Sequence, residues 1–363
     1  MDSIDRKNLA FYEAVELTYK DIGACAVQMN PMPVNSKQPK KGIKANLEHM
    51  LFLCDAASAS VLRKPNLLVF PEFTLTGWDL VWTLKDWLNV AIEVPGEETE
   101  AIGKKARQCN YYIVFACHTK DRDWPGHYFN TSIIIDPSGE VIHKHWKAYS
   151  GGPGGEWGTT VHDVLDEFIN RYGWDAVWPV ASTQIGNIAT YVCSEGFVPE
   201  TARAFAFKGA EILCRCIGGG GGENKGGRFP LQFRADCAAS NVYGVYSNGG
   251  SGATFNGVRV ENGAGGSSMI VDPFGRIMNQ ATDSREAIIY DTIPIASFRD
   301  QRDRPFIRTE LYAPVLEQYP GKYPPNMYSK YRVPNDWKDA TKLAREHARW
   351  DDSHRYPSKA LDT

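Results

Sequence analysis

Three side chains stand where chemistry is usually done: Cys193 and Glu72 at the ends of apolar runs, and Lys147 in the second arm of a hairpin. Cys193 closes the run from Ile185, then Ser194, Glu195 and Gly196 follow, and Pro199-Glu200 opens a helical pattern. A strand would hold a nucleophile rigidly, a turn would expose its sulfur, and a helix N-terminus close by favours thiolate. Glu72 follows the run Asn66 to Phe70. That is the rim of a sheet, where open α/β sheets place ligands. Partly desolvated, such a carboxylate gains basicity and can act as general base. Lys147 ends His143-Lys144-His145-Trp146-Lys147, and strand alternation puts His143, His145 and Lys147 on one face. A lysine on an inner face is a fixed cation, able to hold an oxyanion and to favour a thiolate. The two histidines leave a Cys–His pairing open as well. Taken singly, each residue also has a plainer reading: a buried strand cysteine, a turn glutamate, an exposed strand lysine.

The elements that must position these residues alternate between strand and helix. Ile22 to Met29 reads as a buried strand, 43–61 as a helix with Leu47, Met50, Leu51, Leu53 and Cys54 at helical spacing, and Asn66 to Phe70 as a strand. A helix near 97–109 and the strand Tyr112 to Cys117 continue the alternation, which predicts an α/β fold. Two later segments resemble each other: residues 132–142 and 268–278 each read as a hairpin around a D-P-x-G turn. They fall in two halves of similar order: strand 185–193, helix 199–209, strand 211–216, helix 230–241 and strand 242–247 precede the second. The expected architecture is a pseudo-symmetric sandwich, two sheets face to face with helices outside. The five consecutive glycines Gly218–Gly222 must be a loop. Residues 1–20 read as a polar leader with some helical character. After about residue 298 the composition turns to Arg, Tyr, Pro and Trp, as expected of a tail draped over the body or over a partner subunit.

With order and spacing in view, the chain resembles the nitrilase superfamily of carbon–nitrogen hydrolases. The match lies in Pro71-Glu72-Phe73, in Gly139-Glu140 with Lys147 eight residues past the glycine, and in Tyr191-Val192-Cys193 with Pro199-Glu200. The likeness covers about residues 20–295. It implies a four-layer α-β-β-α sandwich, a Glu72-Lys147-Cys193 triad and no metal or organic cofactor. It also implies pairing of subunits into a homodimer or higher homo-oligomer. Within the superfamily, Cys193 followed by Gly196 and Pro199-Glu200 is most similar to the aliphatic amidase and formamidase branch, which shifts the expected substrate from nitriles towards amides. That branch places a further glutamate about eight residues after the lysine; here Glu156 lies nine after it, the implied fourth member of the site. Ser194 is expected to supply a backbone N–H to the oxyanion. Trp78, Tyr149, Trp157, Phe197 and Asn248 are the expected pocket residues. The expected activity is hydrolysis of a small carboxylic amide to acid and ammonia or a small amine through a cysteine thioester. A nitrilase, an N-carbamoyl hydrolase and a catalytically silent scaffold subunit are the alternatives.

Bulk properties agree with that class. The 363 residues carry a net charge of -3 and no biased tract. The basic stretches Lys37–Lys44 and Lys342–Arg349 are short, so nucleic acid is not an expected partner. No apolar run reaches the ~20 residues of a membrane span, and the charged first residues lack the apolar core of a signal peptide. The expected location is cytoplasmic. The eight cysteines form no C-x-x-C pair, which disfavours zinc, and seven of them read as buried small hydrophobes. The expected organisation is a leader at 1–20, a hydrolase domain at 21–297 with an insertion at about 159–183, and a C-terminal extension at 298–363 suited to a subunit interface.

Overall fold

The structure is a computed structural model that describes residues 12–60, 64–149, 158–218, 227–250, 253–260 and 265–350. In chain order the first half runs β1 (Ile22–Gln28), α1 (Pro39–Ser60), β2 (Leu67–Val69), α2 (Leu84–Val90), β3 (Ile92–Glu93), α3 (Glu97–Cys109), β4 (Tyr112–Lys120), β5 (Phe129–Ile135) and β6 (Val141–Trp146). The second runs α4 (Leu165–Tyr172), β7 (Ala181–Thr183), β8 (Gly186–Val192), α5 (Pro199–Phe207), β9 (Ile212–Ile217), α6 (Arg228–Ser240), β10 (Tyr243–Asn248), the hairpin β11 (Ala253–Phe255) and β12 (Val258–Val260), β13 (Met269–Val271), β14 (Ile277–Gln280) and β15 (Ala287–Ile293). Four helices close the described chain: α7 (Ile295–Gln301), α8 (Thr309–Gln318), α9 (Met327–Lys330) and α10 (Trp337–Glu346).

Two mixed sheets result. The first has the order β15-β1-β2-β4-β5-β6, with β3 beside β4; the second has the order β14-β13-β10-β9-β8-β7. In each, the central strands are parallel, β1-β2-β4 in one and β8-β9-β10 in the other. In each, a D-P-x-G hairpin follows on one side, β5-β6 or β13-β14. The two turns close with the same bonds. Asp136 Oδ1 accepts from the N–H of Ser138 and Glu140, and Asp272 Oδ1 from the N–H of Phe274 and Arg276. This repetition bears out the pseudo-symmetry expected from the two sequence segments.

Strand alternation sorts the apolar side chains into three cores. Cys25, Val27, Leu68, Phe70, Ile113 and Phe115 face Met50, Cys54, Ile102 and Ala106 of α1 and α3. Their neighbours Ala24, Ala26, Val69 and Val114 face Ile188, Val192, Cys214, Cys216 and Val245 across the sheet–sheet interface. Tyr191, Leu213, Tyr246 and Met269 then face Ala202, Phe205, Phe233 and Cys237 of α5 and α6. The layers are therefore helix, sheet, sheet, helix: an α-β-β-α sandwich. Cys214 and Cys216 share the inner face, as their spacing required.

The two ends of the described chain are tied into the body. Residues 12–20 form no helix. Their backbone is committed to other elements: Thr18 N–H donates to Gln184, and the Val15 carbonyl accepts from Arg299 at 2.7 Å. The tail does more than lie on the surface. Met327, Tyr328, Leu343 and Ala344 of α9 and α10 are buried with Val161, Val164 and Phe168 of the 159–183 insertion, against Trp124, Phe129 and Trp146. Among the described residues no helix is long and apolar enough to cross a membrane.

Candidate active site

Strand ends of both sheets meet at one place. Glu72 follows β2, Lys147 is the first residue after β6, Cys193 the first after β8, and Gly218 the first after β9. Glu72 and Lys147 are 2% and 1% exposed, so both charges have left water. Burial of a charge is tolerable only when it is paired and hydrogen-bonded. Lys147 Nζ donates to Glu72 Oε1 at 3.4 Å, Asn130 Nδ2 donates to the same oxygen at 2.6 Å, and the Gly218 N–H donates to Glu72 Oε2 at 2.8 Å. Glycine is required at 218: a Cβ there would stand 2.5 Å from the Phe73 ring and 3.0 Å from Glu72 Oε2.

Cys193 opens a 3-10 turn, Cys193–Phe197, with φ +47. A non-glycine residue in the left-handed region is strained, and such strain gathers at functional sites. It is half-buried, whereas the other seven cysteines are buried. Burial drives the Cys25 thiol up to about 12 and pushes those of Cys54, Cys117, Cys214, Cys216 and Cys237 up as well, which keeps them inert thiols.

The tie between Cys193 and Lys147 is Glu195, a residue the sequence reading passed over. It is wholly buried. Its Oε1 accepts from the Ala148 N–H at 2.7 Å and its Oε2 from the Val192 N–H at 2.7 Å. One carboxylate thus grips the residue after the lysine and the residue before the cysteine. His145 Nε2 donates to both of its oxygens, at 3.0 and 3.1 Å. His143 Nε2 instead meets Thr190 Oγ1 at 3.1 Å. Nε2 of each histidine is thus engaged with another side chain, while Glu72 is paired with Lys147.

Arg215 was missed too. It stands wholly buried in β9, and its Nε and Nη2 donate to the Cys193 carbonyl at 3.0 and 2.6 Å. A charged residue inside the apolar run Ile212–Ile217 was the available signal, since arginine is almost never fully buried without partners. Gly196 is explained by the same group: a Cβ at 196 would lie 2.3 Å from Arg215 Cζ. The missing side chain at 196 makes room for the guanidinium.

The remaining expected residues divide between the cysteine turn and the strand ends around it. Ser194 is nearly buried, and its Oγ has no hydrogen-bond partner among the described residues. The first N–H groups of a turn have no partner within it, which suits the Ser194 N–H to an oxyanion. Tyr149 turns its hydroxyl to the Glu195 carbonyl at 2.7 Å and to Thr201 Oγ1, so it braces the cysteine turn. Phe197 packs on Phe229 with ring centroids 4.7 Å apart, beneath the Arg228 guanidinium. Asn248, at the end of β10, donates from Nδ2 to the Gly266 carbonyl at 2.9 Å. Trp78 packs beside Phe73 at 5.9 Å between centroids. Glu156 and Trp157 lie outside the described residues.

The chain is similar to several known proteins. The sequence model of a family described as carbon-nitrogen hydrolase matches residues 23–303. A formamidase of Helicobacter acinonychis is 28% identical over 201 residues, 55% of this chain and 55% of that one. A formamidase of Bacillus cereus is 34% identical over 154 residues, 42% of this chain and 41% of that one. The chain thus spans about half the length of these relatives. An amidase from Nesterenkonia sp. has a similar fold, with TM-score 0.59 and 18% identity over 81% of this chain and 96% of that one. A variant of that amidase carries the acetamide moiety of fluoroacetamide covalently on its active-site cysteine, at TM-score 0.58 and 18% identity, over 81% of this chain and 96% of that one.

Proposed function

We propose that this chain, which belongs to the carbon–nitrogen hydrolase family, hydrolyses a small carboxylic amide to the acid and ammonia or a small amine. One observation carries the reading: a buried Glu72–Lys147 pair at the sheet ends, with a strained cysteine tied to the same place by Glu195. The formamidase relatives, and the Nesterenkonia amidase whose active-site cysteine takes up the acetamide moiety of fluoroacetamide, support amide as the substrate class.

Glu72 takes the proton of Cys193, and the thiolate attacks the amide carbonyl. Lys147 and the Ser194 N–H hold the oxyanion. Glu72 then gives its proton to the departing amine, which leaves a thioester on Cys193. Water, deprotonated by Glu72 and positioned by Glu156, releases the acid and restores the thiol. The nucleophile, the acid–base group and the oxyanion donors are all supplied by the chain itself. Low local dielectric strengthens each of these interactions, and one lost oxyanion donor costs about 100- to 1000-fold in rate.

Ammonia release from formamide, acetamide, butyramide and phenylacetamide is the test, beside butyronitrile and N-carbamoylalanine. Amides are expected to lead, with Cys193→Ala and Glu72→Gln inactive yet folded. Full activity in Cys193→Ala, or turnover confined to the nitrile, overturns the reading.

We also propose a homo-oligomer, with the 298–363 extension at its interface. Leu311, Val315, Leu316 and Tyr319 of α8 and its end are each more than 60% exposed along one apolar flank, which supports this. Sedimentation of the full chain decides, and a monomer would refute it. The eight free cysteines suit a reducing, cytoplasmic setting, which fractionation of the native host would check.

A further inference from the structure

We propose that Arg215 is a positioning residue for the nucleophile: two N–H groups of its guanidinium clamp the Cys193 carbonyl and so hold the left-handed turn that presents the thiol. The inference rests on the reading of Cys193 as nucleophile.

The clamp is built from the strand next door. Val192 pairs with Cys216 in the parallel register of β8 and β9, so the side chain of Arg215 reaches the peptide just past the end of β8. Two of its donors converge on one oxygen, at 3.0 and 2.6 Å, and the third goes to the Phe229 carbonyl at 3.4 Å. The planar fork of arginine suits such double donation, and a lysine ammonium does not reproduce it. The guanidinium carbon lies 5.6 Å from the Tyr191 ring centroid and 5.0 Å from that of Phe229. Burial raises Asp236 to about 7 even though Arg215 and the Tyr191 hydroxyl, which donates to its Oδ2 at 3.2 Å, both act to lower it.

Cys193 at φ +47 occupies a region that a side chain rarely adopts, and a strained backbone persists only where the surroundings over-determine it. On one side the turn is fixed by Glu195, which holds the Val192 N–H. On the other it is fixed by Arg215 through the Cys193 carbonyl. The contact leaves its own mark in the sequence. Gly196 has no Cβ, and one there would lie 2.6 Å from both terminal nitrogens of the guanidinium. The donors of Arg215 go to the Cys193 and Phe229 carbonyls, so its loss should act on the attack of the thiol and leave substrate binding in place.

Two variants disturb the contact from opposite sides. Arg215→Lys keeps a cation and removes the fork; Gly196→Ala keeps the arginine and pushes it away. Each is checked for folding by circular dichroism and thermal melting, then assayed for ammonia release on the best amide of the panel. The rate of Cys193 alkylation by iodoacetamide is followed against pH, with the labelled peptide identified by mass. A displaced nucleophile should cost about 100-fold in kcat, with KM moved by no more than about threefold and alkylation shifted to higher pH. If Arg215→Lys does not fold, Gly196→Ala carries the test alone. A wild-type protein whose Cys193 is not labelled faster than the other cysteines refutes the nucleophile itself. A wild type that labels and turns over, beside folded variants that keep kcat and the alkylation profile, refutes the clamp.

Discussion

At the scale of single residues, the site depends on acceptors and donors matched one to one. Glu195 shows how narrow the match is. Its carboxylate accepts from Val192 N–H on one oxygen and from Ala148 N–H on the other, and His145 donates to both. An amide offers one oxygen and one NH2, so Glu195→Gln must turn a donor towards one of those N–H groups. An unsatisfied buried donor costs ~1–3 kcal/mol. In a chain of this size that lowers Tm by roughly 1–4 °C, at about 2.1 cal/mol/K of unfolding entropy per residue. The larger effect is expected on kcat, because the same carboxylate sets the separation of Lys147 and Cys193. A fall of ~10- to 100-fold is expected, with KM little changed. Steady-state kinetics of the folded variant checks this, and unchanged kcat would show that the grip on the two backbones is dispensable. His145 adds a second consequence. Its Nδ1 has no hydrogen-bond partner among the described residues, so Glu195 supplies the hydrogen bonds that orient the ring between Trp178 and Phe205.

At the scale of elements, the lysine strand is held from outside the sandwich. Beyond β6 the chain is pinned by the insertion: Val161 N–H donates to the Lys147 carbonyl at 3.1 Å and His162 N–H to the Ala148 carbonyl at 2.9 Å. The insertion is pinned in turn by the tail, where Asn326 donates to the His162 carbonyl and accepts from the Asp166 N–H. Phe168 of α4 lies beneath, edge-on to Trp146 at 5.3 Å and beside Tyr172 at 5.0 Å. Phe168→Ala should cost ~3–5 kcal/mol by the cavity it leaves. It should also loosen the backbone at 147–148 before the rest of the fold gives way. Hydrogen exchange is the check: faster exchange confined to 146–149 and 159–172 is expected, and a uniform rise across both sheets would contradict the buttress. These elements also show what the sequence disclosed. Glu72 and Cys193 were legible because each ends an apolar run, and run ends become sheet ends; Lys147 was legible from strand alternation in the arm after the D-P-x-G turn. The hairpins were legible because D-P-x-G fixes a turn locally. Glu195 and Arg215 were not, since their partners are set by which strand lies beside which. Ala148 is 47 residues from Glu195 along the chain, and Cys193 is 22 from Arg215. The small core shared by insertion and tail escaped for the same reason: its buried residues come from two segments that each look too polar to fold alone.

At the scale of the whole molecule, two neutral histidines bind the stability of the sandwich to pH. His143 reaches from β6 across the interface to Thr190 of β8, whose hydroxyl also meets Ser132 Oγ at 2.6 Å. Burial, then the charge of His145, presses His143 down to about 3. His118 lies among Phe73, Trp87 and Tyr128, and burial, then Lys147, presses it to about 3 as well. The ordinary value is 6.5. Between pH 6.5 and about 3 the unfolded chain therefore binds more protons at these positions than the folded one does. Stability thus rises with pH through this window and is lost as pH falls through it, by at most about 1.4 kcal/mol per pH unit for each histidine. Carboxylates titrate over the same range, so the slope of the wild type alone does not isolate the effect. A difference does: His143→Gln stays neutral at every pH, can still meet Thr190, and carries a fixed packing cost that cancels when its own pH slope is taken. Urea unfolding at pH 7 and pH 4.5 should show the wild type losing more stability than His143→Gln over the same step. Equal losses would mean that His143 is protonated in the folded sandwich at the lower pH, and that the sheet interface admits the charge.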